Sequence, residues 1–380
     1  MDEVMASAPG KVVLFGEHAV VYGHPAISTS ISQRTTVTLR PMEERGVQLN
    51  RVKINPARHP HLAYLVGRLW NASMTTGVDM SVQSDVPRGA GLGSSAAFAV
   101  ASATALRAAS GRWVDADNGA WHEGYASDGS EVELFRGEER VHQRTDTSAR
   151  VYGQAAVSAE EASLLGHVAE ALSQEGRASP MDTMTSAFGG LVMLSNRVED
   201  ASTWVMKRTM PMGDEQRTWD LHHLGGLHLE DGLSLVVGHT GINAPTTQMV
   251  AGVASRRVSD PGIDEAMQAI AGLVHRGLDA LKSGDSETLG RTMTENHLLL
   301  RRIGVSHPKL EALVSAALPT ALGAKLTGAG GGGCMIALTR DSKATSEAIE
   351  LAGGRTWITE LGTPGAHLEA WPAGGFVHRI

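Results

Sequence analysis

With a single cysteine, Cys334, this chain of 380 residues cannot form an internal disulfide, which fits a reducing compartment. Aromatic side chains are scarce, at 7 Trp, 4 Tyr and 5 Phe, so the core has to be mainly aliphatic. No apolar run reaches the roughly 18–20 residues that span a bilayer. The start, Met1-Asp2-Glu3-Val4, lacks the charged-then-apolar pattern of a secretory signal. Positive charge is not in excess either: 33 Lys and Arg stand against 41 Asp and Glu, a net charge of −8. A nucleic-acid partner therefore has no support from overall charge. The expectation is a cytoplasmic protein with no membrane partner, long enough to form two domains.

Glycine is what the chain has in quantity: 44 residues, about 12% against roughly 7% in average usage. The glycines gather near 89–93, 189–190 and 328–333. Clustered glycine marks backbone held in turns or approached closely by something. Around these clusters, Lys11–Phe15, Ala26–Ser28, Val37–Leu39 and Met80–Val82 read as strands. His61–Leu69 has helical spacing, and Ser94–Ala109 is an alanine-rich helix apolar nearly all round, hence buried. In the second half, 190–194, 233–237, 324–327 and 335–338 read as strands. Helices are expected at 246–257, 263–283, 285–302 and 308–318. Strands and helices do not alternate strictly, which indicates an α+β fold.

Two stretches stand apart. Residues 112–157 hold nine acidic residues, five arginines and no lysine, and read as a surface excursion with a short hairpin around Val132–Phe135. Ser158 follows as an N-cap, with Glu161 completing a capping box. Residues 197–231 read as a solvated loop. Their His222, His223 and His228 could ligate a metal, but nothing nearby completes a recognisable site.

The segment Pro87-Arg88-Gly89-Ala90-Gly91-Leu92-Gly93-Ser94-Ser95-Ala96-Ala97 lies between a strand and the buried helix. Its glycines let backbone wrap a phosphate, and the helix start offers unpaired N–H groups and the positive end of the dipole. A serine there can also ligate Mg²⁺. On glycine spacing alone, a tight strand-to-helix turn explains the segment equally well.

With two further segments, this loop resembles the superfamily of galactokinase, homoserine kinase, mevalonate kinase and phosphomevalonate kinase. One is Ala8-Pro9-Gly10-Lys11-Val12-Val13-Leu14-Phe15-Gly16-Glu17-His18-Ala19-Val20-Val21-Tyr22-Gly23. The other is Lys325-Leu326-Thr327-Gly328-Ala329-Gly330-Gly331-Gly332-Gly333-Cys334. The Gly16–Gly23 stretch is most similar to mevalonate kinases, especially the archaeal type. So are Ser179-Pro180-Met181-Asp182-Thr183, Asn296–Leu300 with Ile303–Ser306 and, less closely, Thr246–Val250.

The resemblance implies a two-domain fold, with a ribosomal-protein-S5-like domain over residues 1–195 and a ferredoxin-like domain over 196–380. It implies ATP-dependent phosphorylation of an alcohol, with Mg²⁺ as cofactor. Asp182 matches the catalytic base and Lys11 the lysine that pairs with it. Pro87, Gly89, Ala90, Gly91, Leu92, Gly93, Ser94, Ser95 and Ala96 match the nucleotide loop. Ser95 and Glu170 match the magnesium ligands. The separation of Glu170 from Asp182, at 12 positions, is one longer than usual, which leaves Glu161 and Glu175 as substitutes. Glu17, His18 and Ala329 match positions at the alcohol site, His18 as a donor to the substrate. Another kinase of the superfamily and a catalytically silent relative are the competing readings; Lys11, Ser95 and Asp182 all stand, which argues against the silent one. A homodimer is common among such enzymes, and nothing in this sequence establishes one.

Overall fold

The structure is a computed structural model. It describes residues 3–70, 77–115, 121–122, 133–136, 139–143, 148–173, 179–212, 215–225, 227, 232–243 and 246–372. Two long strands open the chain, β1 (Val4–Phe15) and β2 (Ala26–Met42), joined through a 3-10 turn at Ala19–Tyr22. The ribbon β3 (Val47–Leu49) and β4 (Val52–Lys53), helix α1 (Pro60–Leu69), strand β5 (Gly77–Ser84) and helix α2 (Ser94–Ser110) follow. Five short strands come next: β6 (Arg112–Asp115), β7 (Trp121–His122), β8 (Glu133–Arg136), β9 (Glu139–Gln143) and β10 (Ser148–Val151). Helices α3 (Ala159–Ser173) and α4 (Met181–Phe188) lead into β11 (Leu191–Ser195), β12 (Trp204–Met212) and β13 (Glu215–His223).

The second half begins with β14 (Ser234–His239) and four helices, α5 (Thr246–Ser259), α6 (Gly262–Ser283), α7 (Ser286–Arg302) and α8 (Pro308–Ala317). It closes with β15 (Gly323–Thr327), β16 (Cys334–Thr339), α9 (Ser342–Leu351), β17 (Arg355–Thr359) and β18 (His367–Ala370). The α+β expectation holds. Among the described residues, no helix is long and apolar enough to cross a membrane.

The first sheet runs β12-β13-β11-β2-β5-β3-β4, with β1 on β2 and β18 on β1. The second is the antiparallel β15-β16-β14-β17, and the short strands form a third, β10-β6-β7-β8-β9. Strands β12, β13 and β18 thus pair into the first sheet, so it runs past the boundary expected at residue 195. The region read as a solvated loop is largely the hairpin β12–β13.

The short hairpin expected near 132–135 is β8–β9, with Val132 itself outside the described residues. At the root of that excursion the reading changes, because Arg112 is fully buried and paired, like Arg107, with the Glu161 carboxylate. Ser158 does accept from the Glu161 amide, at 3.3 Å. The carboxylate of Glu161 goes to the two arginines, so only half of the expected capping box forms.

Helix α2 is small-sided and buried on every face, which lets it sit under β1 and β2 within the first core. A second core is shared between the halves: Val12, Leu14, Phe15 and Ile27 pack with Val274, Leu278, Cys334 and Ile336. The halves are therefore one apolar body on this side, with a cleft between them on the other.

Candidate active site

The three glycine-bearing segments meet in that cleft, which encloses about 260 Å³. The ladder between β1 and β2 breaks register between Pro9 and Lys11. There the Lys11 amide turns to Leu92 O of the glycine loop, at 2.9 Å. Bulges of this kind re-aim side chains near sites; here Lys11, 4% exposed, reaches Asp182 Oδ1 at 3.1 Å. Asp182 lies in the first turn of α4, where a carboxylate is favoured by the helix dipole.

Gly93 is required twice over. It caps α2 at φ 73°, and a Cβ there would come 2.9 Å from Lys11 Cγ. No side chain caps this helix start, so its first-turn amides face the cleft. Of the residues matched to the nucleotide loop, Pro87, Gly89, Gly91, Leu92, Gly93, Ser94 and Ser95 line the cavity. Ala90 and Ala96 do not; both are buried.

Glu170 enters from α3, buried and lining the same cleft. Burial and the neighbouring Asp182 charge push its carboxyl up to about 8, against the pull of Lys11 and a hydrogen bond with Ser95. The residues present fit Mg²⁺. Ser95 and Glu170 are hard oxygen donors beside Asp182, and a buried carboxyl whose charged form is disfavoured first by burial and then by Asp182 is one that a cation would stabilise. Among the described residues no cluster of three His, Cys, Asp or Glu is placed to hold a metal by itself. Two protein donors are what Mg²⁺ takes when phosphate oxygens complete its octahedron. Of the substitutes, Glu161 is committed to its arginines and Glu175 lies outside the described residues.

Glu17 and His18 line the cleft, but both Glu17 oxygens and one His18 ring nitrogen are engaged. The Glu17 carboxylate is paired with the fully buried Lys325 and accepts from Asn296 Nδ2 at 3.1 Å. His18 Nε2–H donates to Ala329 O at 2.9 Å. Burial, against that hydrogen bond and assisted by Arg256, lowers its pKa to about 4. The ring is therefore neutral, and its remaining nitrogen is an acceptor; the expected donor role is corrected to that. Ser179, Met181, Thr246 and Val250 also line the cavity without having been assigned a role. The signal for them was present in the motif stretches that contain them.

The histidines at 222 and 223 alternate across β13. His222 is buried against Thr203 and the Glu199 amide, whereas His223 packs on Phe188. They do not converge, and His228 lies outside the described residues.

Residues 61–123 match the GHMP kinases N terminal domain and residues 278–357 the GHMP kinases C terminal family. Mevalonate kinase of Pyrococcus furiosus is 32% identical over 402 aligned residues, covering 97% of this chain and 98% of that protein. The chain belongs to the mevalonate kinase family. Among solved structures, L. major mevalonate kinase in complex with R-mevalonate aligns at a TM-score of 0.65 and 24% identity, over 94% of this chain and 95% of that one. Streptococcus pneumoniae phosphomevalonate kinase, solved with phosphomevalonate and AMPPNP, also aligns at 0.65, with 16% identity over 95% of this chain and 100% of that one. The fold is thus common to both kinases, and fold alone does not separate their substrates.

Proposed function

We propose that this protein transfers the γ-phosphoryl group of ATP to the 5-hydroxyl of (R)-mevalonate, giving 5-phosphomevalonate and ADP. The observation that carries the reading is the Lys11–Asp182 pair facing the glycine loop across one cleft. Membership of the mevalonate kinase family supports this substrate over phosphomevalonate, a sugar or homoserine.

Phosphoryl transfer needs alignment, charge neutralisation and an acceptor for the hydroxyl proton. Asp182 takes that proton. Lys11 orients the carboxylate and polarises the hydroxyl oxygen. The amides of the 87–95 loop and the start of α2 hold the phosphates, and Ser95 with Glu170 holds the magnesium ion. When bound, Mg²⁺ neutralises phosphate charge. The free nitrogen of His18 accepts a hydrogen bond from a substrate hydroxyl, and the Gly328–Ala329 turn closes the far wall.

The test is a purified-enzyme assay with Mg·ATP against mevalonate, phosphomevalonate, galactose and homoserine, with products identified by mass. One phosphate on mevalonate is expected. Asp182→Asn should cut kcat by roughly 10²–10⁴-fold, the usual worth of a general base, while ATP affinity persists. Phosphate on another alcohol instead would keep the kinase and overturn the substrate.

A further inference from the structure

The stretch Asn296–Leu300 stood out in the sequence without a role, and its first residue is buried completely on α7. Asn296 Nδ2 donates to Glu17 Oε2, and Asn296 Oδ1 has no partner. Turning the amide round would set its oxygen against a carboxylate, so the orientation is fixed by charge. A buried amide that leaves one end unsatisfied carries a standing cost relative to an apolar residue of the same size. What the position gains is the bond to Glu17.

The other oxygen of Glu17 is held by Lys325, whose Nζ also donates to Val13 O at 3.2 Å. Immediately after Glu17 the backbone is strained: His18 sits at φ 61°, ψ −44°, outside the regions that a side-chain-bearing residue ordinarily adopts. Strain of this kind persists only where surrounding contacts over-determine it. Here Lys325 and Asn296 anchor the residue before, and Ala329 O anchors the His18 ring.

We propose that Asn296 is a positioning residue of the alcohol subsite, acting through Glu17 to hold the His18 turn against the cleft. The proposal rests on reading the cleft as an alcohol-kinase site. Asn296, fully buried and not part of the cleft wall, touches no substrate. Losing one hydrogen bond to a buried charge relaxes the turn, so the alcohol binds more weakly, while the nucleotide loop keeps its own anchor, Leu92 O on the Lys11 amide.

The experiment is steady-state kinetics of wild type, Asn296→Leu and Asn296→Ala, each checked for folding by circular dichroism. Leu keeps the volume and removes the donor; Ala removes the donor without adding a carboxylate beside Glu17 and supplies the reading where Leu fails to fold. The expected result is an alcohol KM raised about 10- to 100-fold, from the worth of a hydrogen bond to a charged group, with ATP KM within about twofold of wild type. In a Glu17→Gln background the Asn296→Leu effect should shrink, because the two act as one unit. An active wild type whose variants keep the alcohol KM, or raise both KM values equally, overturns this proposal alone. A wild type that phosphorylates no alcohol overturns the functional reading beneath it.

Discussion

At the scale of single residues, the consequences of burial are sharpest at His18. Its ring stays neutral in the folded protein down to about pH 4, because protonation would bury a charge. In the unfolded chain an ordinary histidine takes up its proton near pH 6.5. Between those two values the unfolded state binds more protons, so stability falls as the pH is lowered. The loss amounts to on the order of 3 kcal/mol by pH 4, and above pH 6.5 the group contributes no slope. Urea unfolding at pH 7, 5.5 and 4.5 should show His18→Gln losing less stability on acidification than wild type. Equal losses would remove His18 as a source of the slope. The sequence marked His18 as a site residue through its flanking motif. It could not mark the direction of its hydrogen bond, which depends on Ala329, 311 positions away.

At the scale of elements, what the sequence disclosed depended on whether the physics was local. The starts of α2, α6, α7 and α8 fall within a residue or two of expectation, since spacing and turn chemistry are written in consecutive residues. The hairpin β12–β13 is hard to read because the alternation in Trp204–Met212 is interrupted at Arg208 and β13 opens with Glu215-Gln216-Arg217-Thr218, which has no apolar residue. Its pairing with β11 supplies the order instead.

Strand β15 shows a contact of the same non-local kind. It is an edge strand, and its outward amides would be unpaired. Ala324 N–H instead donates to Thr294 Oγ1 at 3.2 Å, and Leu326 N–H to His297 Nδ1 at 3.2 Å, both on α7. The helix reaches that close because Gly290 lies against Leu322, where a Cβ would meet backbone atoms at 2.5 Å. Replacing a helical glycine by alanine ordinarily stabilises by roughly 0.5–1 kcal/mol. Gly290→Ala should reverse that sign and destabilise by about 1–3 kcal/mol, the cost of overpacking. Because α7 carries Asn296 and β15 carries Lys325, the alcohol KM should rise with it. A chemical melt and one kinetic curve check both, and a stabilised variant would mean that α7 is free to shift.

At the scale of the molecule, the chain leaves its first sheet and returns to it. Strand β18 pairs with β1, and Arg34 holds the approach to it through Pro364 O and Gly365 O at 2.7 and 2.8 Å. The second core draws on both halves, so Phe15 packs against the α6 glycine at Gly277. A division at residue 195 cuts all of this. A fragment 1–195 would keep β1, β2, β5 and β11 but lose β13 beside β11 and β18 beside β1. It would also expose Val12, Leu14, Phe15, Ile27, Leu191 and Met193, whose covering residues lie largely beyond the cut. Apolar burial is the dominant favourable term, and a domain retains only a small margin over chain entropy. The fragment should therefore aggregate or melt without a cooperative transition, whereas the whole chain should unfold in a single one by calorimetry. A sharp melt for the fragment would mean that the first core alone suffices, and that the shared core serves to close the cleft rather than to fold the sheet.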